Sequence, residues 1–115
     1  MGSPITTHVL DTARGRPAAG VPITLDVRAP DGAWKRLGAG TTDADGRLRT
    51  LVPDGAAIEP AVYRITFDTA RYFRAIAVEG FYPEASIVFE VRAAGEHYHV
   101  PLLLNPFGYS TYRGS

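Results

Sequence analysis

The chain has 115 residues, twelve basic and twelve acidic side chains and no cysteine. That length suits one domain with a core large enough to fold alone. The balanced charge, with no run of like sign, argues against nucleic acid or an anionic membrane as partner. The missing cysteines exclude disulfides, thiolate metal sites and cysteine nucleophiles. No apolar run reaches membrane-spanning length. The start lacks a basic and apolar leader and the end lacks a Ser-Lys-Leu address, so a cytoplasmic location is expected.

Short β-prone runs separated by turn residues dominate the sequence. Ile5 to Asp11 is predicted as a first strand, broken by Arg14-Gly15-Arg16-Pro17 and Gly20. Ile23 to Arg28 alternates apolar and polar residues as a half-buried antiparallel strand does. Pro30-Asp31-Gly32 turns the chain into a strand over Trp34 to Ala39. Asp43-Ala44-Asp45-Gly46 is a tight turn into Arg47 to Leu51. Pro53-Asp54-Gly55 opens a loop to Pro60, and Tyr63 to Phe67 alternates again. Asp68 to Ala75 reads better as a helix, with Asp68 or Thr69 as its cap and Tyr72, Phe73 and Ile76 as its apolar stripe. Ser86 to Arg92, His97 to Leu104 and Tyr109 to Arg113 complete eight strands. The expected fold is all-β, a single eight-stranded antiparallel sandwich over residues 1–115, with the helix carrying a long strand-to-strand crossing.

Chemistry is concentrated near the two ends. Alternation puts His97, His99, Pro101 and Leu103 on one face of a strand and Tyr98, Val100, Leu102 and Leu104 on the other. The second face is uniformly apolar and belongs in the core, so both histidines point outward. Val9 claims the core in the first strand, which turns His8 outward as well. Imidazoles beside Pro101 and Leu103 suit a covered groove better than a solvated sheet face. A His-x-His pair with a third histidine also matches the spacing of a zinc site, but sequence alone does not bring His8 near the pair. Asp43-x-Asp45-Gly46 has the start of a calcium loop without its later oxygen ligands, and the hairpin-turn reading prevails. Arg47, at the exit of that turn, offers a fork of donors to a carbonyl-rich ring or an anion. The last residues, Tyr109 to Ser115, are aromatic and β-prone where termini usually fray, which points to a packed tail that lines a site.

Several of these segments together resemble one family. Ile5-Thr-Thr-His8-Val-Leu-Asp11-Thr-Ala-Arg-Gly15-Arg-Pro17-Ala, Thr42-Asp-Ala-Asp-Gly46-Arg47, His97-Tyr-His99-Val-Pro-Leu-Leu-Leu and Tyr109-Ser-Thr-Tyr112-Arg113-Gly114-Ser115 are similar to the motifs of the 5-hydroxyisourate hydrolases, the enzyme branch of the transthyretin-like (prealbumin-like) family. The resemblance spans nearly the whole chain; Asn105, where serine is common, departs outside the chemical positions. It implies a transthyretin-like sandwich that opens 5-hydroxyisourate to 2-oxo-4-hydroxy-4-carboxy-5-ureidoimidazoline without metal or cofactor. It also implies catalytic roles for His8, Arg47 and His99, substrate binding by Tyr112, Arg113, Gly114 and Ser115, and a homotetramer with active sites between dimers. His97 is matched to no catalytic role and stands at the rim. A transthyretin-like carrier of a small hydrophobic ligand is the alternative. Buried ionisable groups without partners would be costly in a carrier channel, which favours the enzyme.

Overall fold

The computed structural model describes residues 3–53 and 56–115; Met1, Gly2 and the Asp54-Gly55 part of the predicted loop opening lie outside them. In chain order the elements are β1 (Ile5–Asp11), β2 (Arg16–Pro17), β3 (Pro22–Arg28), β4 (Trp34–Thr41), β5 (Arg47–Leu48), β6 (Ala61–Phe67), α1 (Thr69–Ala75), β7 (Ala85–Val91), β8 (Tyr98–Asn105) and β9 (Gly108–Thr111). One sheet runs β2-β1-β8-β9, with β5 also paired to β1, and the other runs β4-β3-β6-β7.

Each sheet contributes its inward positions to one apolar layer. Ile5, Val9, Tyr98, Leu102 and Leu104 from the first sheet meet Ile23, Leu25, Tyr63, Ile65 and Phe67 from the second. Leu102 is completely buried, so Leu102→Ala would cost about 2–5 kcal/mol through lost transfer energy and the cavity left behind. The outward positions of β1 and β8 are thereby fixed, because strand side chains alternate between faces.

The sandwich differs from its sequence-based outline in four respects. Arg16–Pro17 pairs antiparallel with Leu10–Asp11 and forms a short additional strand. Gly15, at φ 66°, makes the reversal. Pro17 has no N–H to donate and sits where such a residue is tolerated, on an edge. Second, β1 and β8 pair in parallel, an exception to the antiparallel expectation. Third, β5 stops at Leu48, because Leu51 and Val52 turn into the core instead of extending the ladder.

The fourth difference concerns α1, which joins β6 and β7, antiparallel neighbours in one sheet. It therefore carries no crossing between sheets. Asp68 caps it by accepting the Arg71 N–H at 3.0 Å. Tyr72 and Phe73 are buried, as the predicted stripe requires. The Tyr72 hydroxyl donates to the buried Asp11 carboxylate at 2.7 Å and ties the helix to the end of β1.

Candidate active site

Register brings the chemical groups together on the outer face of the first sheet. His8 stands opposite Arg47 across the β1–β5 pairing. Thr6 stands opposite His99 across the β1–β8 pairing. Thr6 and His8 are one pleat repeat apart on β1, about 6.6 Å along the strand. Four elements of sequence that are far apart thus converge: the start of the chain, the turn before β5, the start of β8 and the tail.

The turn that presents Arg47 is built from Asp43 and Gly46. One Asp43 carboxylate oxygen accepts the Asp45 N–H at 2.9 Å and the Arg47 N–H at 3.0 Å. The Arg47 N–H, more than any other group, holds the Asp43 carboxyl below the usual carboxylate range. Gly46 adopts φ 74°, and a Cβ there would stand 2.5 Å from the Val9 carbonyl oxygen. Glycine is therefore required both for the left-handed backbone and for the close approach. The Asp-rich segment is a hairpin turn that places an arginine.

His97 lies just before β8, exposed, while His99 within β8 is half-buried. Their rings run nearly parallel, at 20° with centroids 6.4 Å apart. The Thr6 Oγ1 sits between them, 3.0 Å from His97 Nε2 and 2.9 Å from His99 Nδ1. Burial first, and then the positive charges of His97, Arg47 and His8, push His99 below the ordinary histidine range. An imidazole held this way stays neutral at pH 7 and keeps a lone pair for proton abstraction.

The tail completes the cluster. After β9 it returns to β8 at a single bridge, where the Gly114 N–H donates to the His99 carbonyl at 2.8 Å. A Cβ on Gly114 would lie 2.6 Å from His99 Cδ2, so glycine lets the backbone seat against the imidazole edge. Ser115 then lines an open cleft of about 890 Å³ together with Thr6, Arg47, Arg49, His97 and His99. His8 flanks Arg47 without lining that cleft. Arg113 is directed elsewhere: its guanidinium binds Glu96 at 2.9 Å and stacks 4.5 Å from the centre of the Tyr98 ring. It fastens the tail to the turn before β8. Tyr112 is exposed. Among the described residues, His8, His97 and His99 do not form a metal-binding group.

Sequence reading overlooked Thr6. Its signal was present, because it alternates with His8 on the outward face of β1. The hairpin turn at Asp43 is legible in the sequence, and the part of Asp43 in positioning Arg47 emerges only from the turn hydrogen bonds.

Comparison with known proteins gives a consistent assignment. A sequence-family model described as HIUase/Transthyretin family matches residues 5–114. The 5-hydroxyisourate hydrolase of Salmonella dublin is 45% identical over 111 residues, covering 96% of this chain and 80% of that protein. The mouse (Mus musculus) 5-hydroxyisourate hydrolase is 45% identical over 114 residues, covering 98% of this chain and 96% of that protein. Among solved structures, sea bream transthyretin in complex with thyroxine superimposes with a TM-score of 0.90 at 33% identity, covering 97% of this chain and 95% of that one.

Proposed function

This chain belongs to the HIUase/Transthyretin family, and we propose that it hydrolyses 5-hydroxyisourate in urate degradation at the His8–Arg47–His99 cluster. The observation that carries this reading is the convergence of a neutral-leaning imidazole and an arginine on one cleft-bearing sheet face. The hydrolases named above support it at higher identity than the transthyretin does.

The reaction is opening of a cyclic amide by water, and the groups present divide the work. His99 Nε2 takes a proton from water as the oxygen attacks the ring carbonyl, since Nδ1 is engaged by Thr6. General-base action of this kind contributes about 10²- to 10⁴-fold. The Arg47 guanidinium holds the ring oxygens and stabilises the charge that develops on the attacked carbonyl, an effect of about 3–4 kcal/mol. His8, opposite Arg47, orients the attacking water. When the carbon–nitrogen bond breaks, the nitrogen takes a proton from His99. Gly114 and Ser115 shape the wall against which the substrate lies.

The same reading includes a homotetramer whose dimers cover the cleft. Strands β9 and β7 each end a sheet and leave a free edge, which another copy can extend. Phe81 and Phe107 are 69% and 73% exposed, more apolar surface than a monomer gains from displaying.

The deciding experiment follows the absorbance of freshly generated 5-hydroxyisourate with and without the protein. Accelerated decay that survives chelator supports a metal-independent hydrolase. Decay at the spontaneous rate, combined with tight binding of an aromatic ligand, would establish the carrier instead. Activity per subunit should also fall on dilution as sedimentation reports loss of the tetramer, whereas a fully active monomer would remove the shared-channel arrangement.

A further inference from the structure

We propose that His99, Thr6 and His97 form one proton relay from the cleft to its rim, with Thr6 as the positioning residue that forces the two histidines to share a tautomeric state. The inference rests on the hydrolase reading for its use, but its geometry stands independently. Thr6 Oγ1 is within hydrogen-bond distance of one nitrogen of each ring. Thr6 itself is only 9% exposed and lines the cleft, so the hydroxyl is held between the two rings at the cleft wall.

A hydroxyl has one hydrogen to give. With both histidines neutral and both contacts made, two arrangements exist. In the first, His99 Nδ1–H donates to Thr6, the Thr6 hydroxyl donates to His97 Nε2, and His99 Nε2 is bare and able to act as a base. In the second, His97 Nε2–H donates to Thr6, Thr6 donates to His99 Nδ1, and His99 Nε2 carries a hydrogen that it can give away. Both rings are thus protonated on Nδ1 together or on Nε2 together. The direction of one hydroxyl selects between the basic and acidic forms of His99.

The proton traffic balances over a turnover. In the first arrangement His99 Nε2 takes a proton from water while the hydroxide oxygen bonds to the carbonyl carbon. The Nδ1 proton passes to Thr6 as the Thr6 proton passes to His97 Nε2, and His97 releases its Nδ1 proton to solvent. That leaves the second arrangement. When the carbon–nitrogen bond breaks, its electron pair goes to nitrogen, which takes the Nε2 proton of His99. His97 Nδ1 takes a proton back from solvent as the Nε2 proton of His97 passes to Thr6 and the Thr6 proton to His99 Nδ1, which returns the chain to the first arrangement. The new carboxylic acid ionises and accounts for the one proton released overall.

The surroundings explain why a relay is useful. His99 is faced by His8 from β1, by Arg47 from β5, by His97 before β8 and by Ser115 from the tail. Glu96 stands at the cleft rim, where its carboxylate is engaged by Arg113. A lasting imidazolium at His99 would sit half-buried beside the Arg47 guanidinium. Passing the charge to exposed His97 places it in water.

The relay is tested with Thr6→Val, which keeps shape and removes the hydroxyl, Thr6→Ser, which keeps the hydroxyl, and His97→Ala. Thr6→Val should lower kcat about tenfold with little change in KM and displace the pH profile, and Thr6→Ser should restore both. Thr6→Val combined with His97→Ala should be no worse than either alone, because both interrupt one chain. Equal damage from Thr6→Ser and Thr6→Val, or full additivity with His97→Ala, would overturn the relay while leaving the hydrolase reading in place. Nitrogen-15 NMR of the imidazoles supplies a readout independent of turnover. The His97 and His99 tautomers should shift together with pH in the wild type and independently in Thr6→Val; independent tautomers in the wild type would refute the coupling even if the protein hydrolysed nothing.

Discussion

The two outer faces of the sandwich treat charge in opposite ways. On the second sheet, the Asp26 carboxylate is ion-paired with Arg36 at 2.8 Å and with Arg64 at 3.0 Å. Arg28 and Arg64 also stack on Trp34, 4.9 Å and 4.4 Å from its ring centre. Asp26 and its two arginines thus compensate one another, and the cluster clamps β3, β4 and β6 together. On the first sheet, among the described residues, no carboxylate lies within ion-pair distance of Arg47, His8, His97 or His99. Charge that is compensated inside the fold serves stability. Charge left uncompensated beside a cleft is available to a substrate rich in carbonyl oxygen.

The sharpest way to break this comparison is to delete one group from each face. His99→Ala and Arg47→Ala should each lower kcat/KM about a hundredfold or more with little change in melting temperature. Arg64→Ala should do the reverse, leaving kcat/KM within twofold while lowering the melting temperature, because it strips Asp26 of one partner. Steady-state kinetics and thermal melts on the three variants decide the matter. Equal kinetic damage from both faces would show that activity tracks fold integrity alone.

The next effect sharpens the role of the tail. Gly114→Val places side-chain atoms where His99 Cδ2 already sits 2.6 Å from the Cβ position. The imidazole or the tail must shift, and about tenfold or greater loss in kcat should follow, since misplacement of about 1 Å can cost a hundredfold. The core faces away from this contact, so circular dichroism and the melting curve should be unchanged. Wild-type turnover in Gly114→Val would show that the seating of the tail on His99 has no part in the reaction.

What was legible in the sequence follows from which interactions are local. Alternation in Tyr98 to Leu104 revealed which face of β8 is buried, and the Asp68 cap with Tyr72 and Phe73 located α1, because these signals need only neighbours in sequence. The parallel pairing of β1 with β8 brings Thr6 beside His99 across more than ninety positions, and no periodicity encodes such a register. Arg113 shows the same limit. Nothing in the sequence places its guanidinium against Glu96 and the Tyr98 ring. Its sequence neighbour Gly114 meets His99 through the backbone bridge to β8.

A smaller effect concerns the pH dependence of turnover. Burial and the positive charges around His99 favour its neutral form. A base in this environment remains active to lower pH than an ordinary histidine, so the acid limb of kcat/KM should lie below about pH 6.5, the unperturbed value. The limb should disappear in His99→Ala, provided residual activity is measurable. A wild-type limb above that value would assign the base to another group.

The smallest effect belongs to the opposite face and to stability alone. Burial by itself would raise the Asp26 carboxyl, but hydrogen bonds and charge from Arg36 and Arg64 outweigh it and hold the group below its usual range. A carboxyl whose pKa is lower folded than unfolded binds more protons in the unfolded state at acid pH. Its contribution is therefore present above the unfolded value of about 3.9 and is lost as pH falls through the depressed folded value. Asp26→Asn removes that dependence, so its melting temperature should decline less steeply than that of the wild type below about pH 4, while at pH 7 it should be lower because Arg36 and Arg64 lose their counter-charge. Turnover at pH 7 should be unaffected, since Asp26 belongs to the other sheet. Parallel acid-melt curves for the two proteins would mean that the ion-paired face contributes no pH-linked stability, and the division between a compensated structural face and an uncompensated chemical face would lose its thermodynamic half.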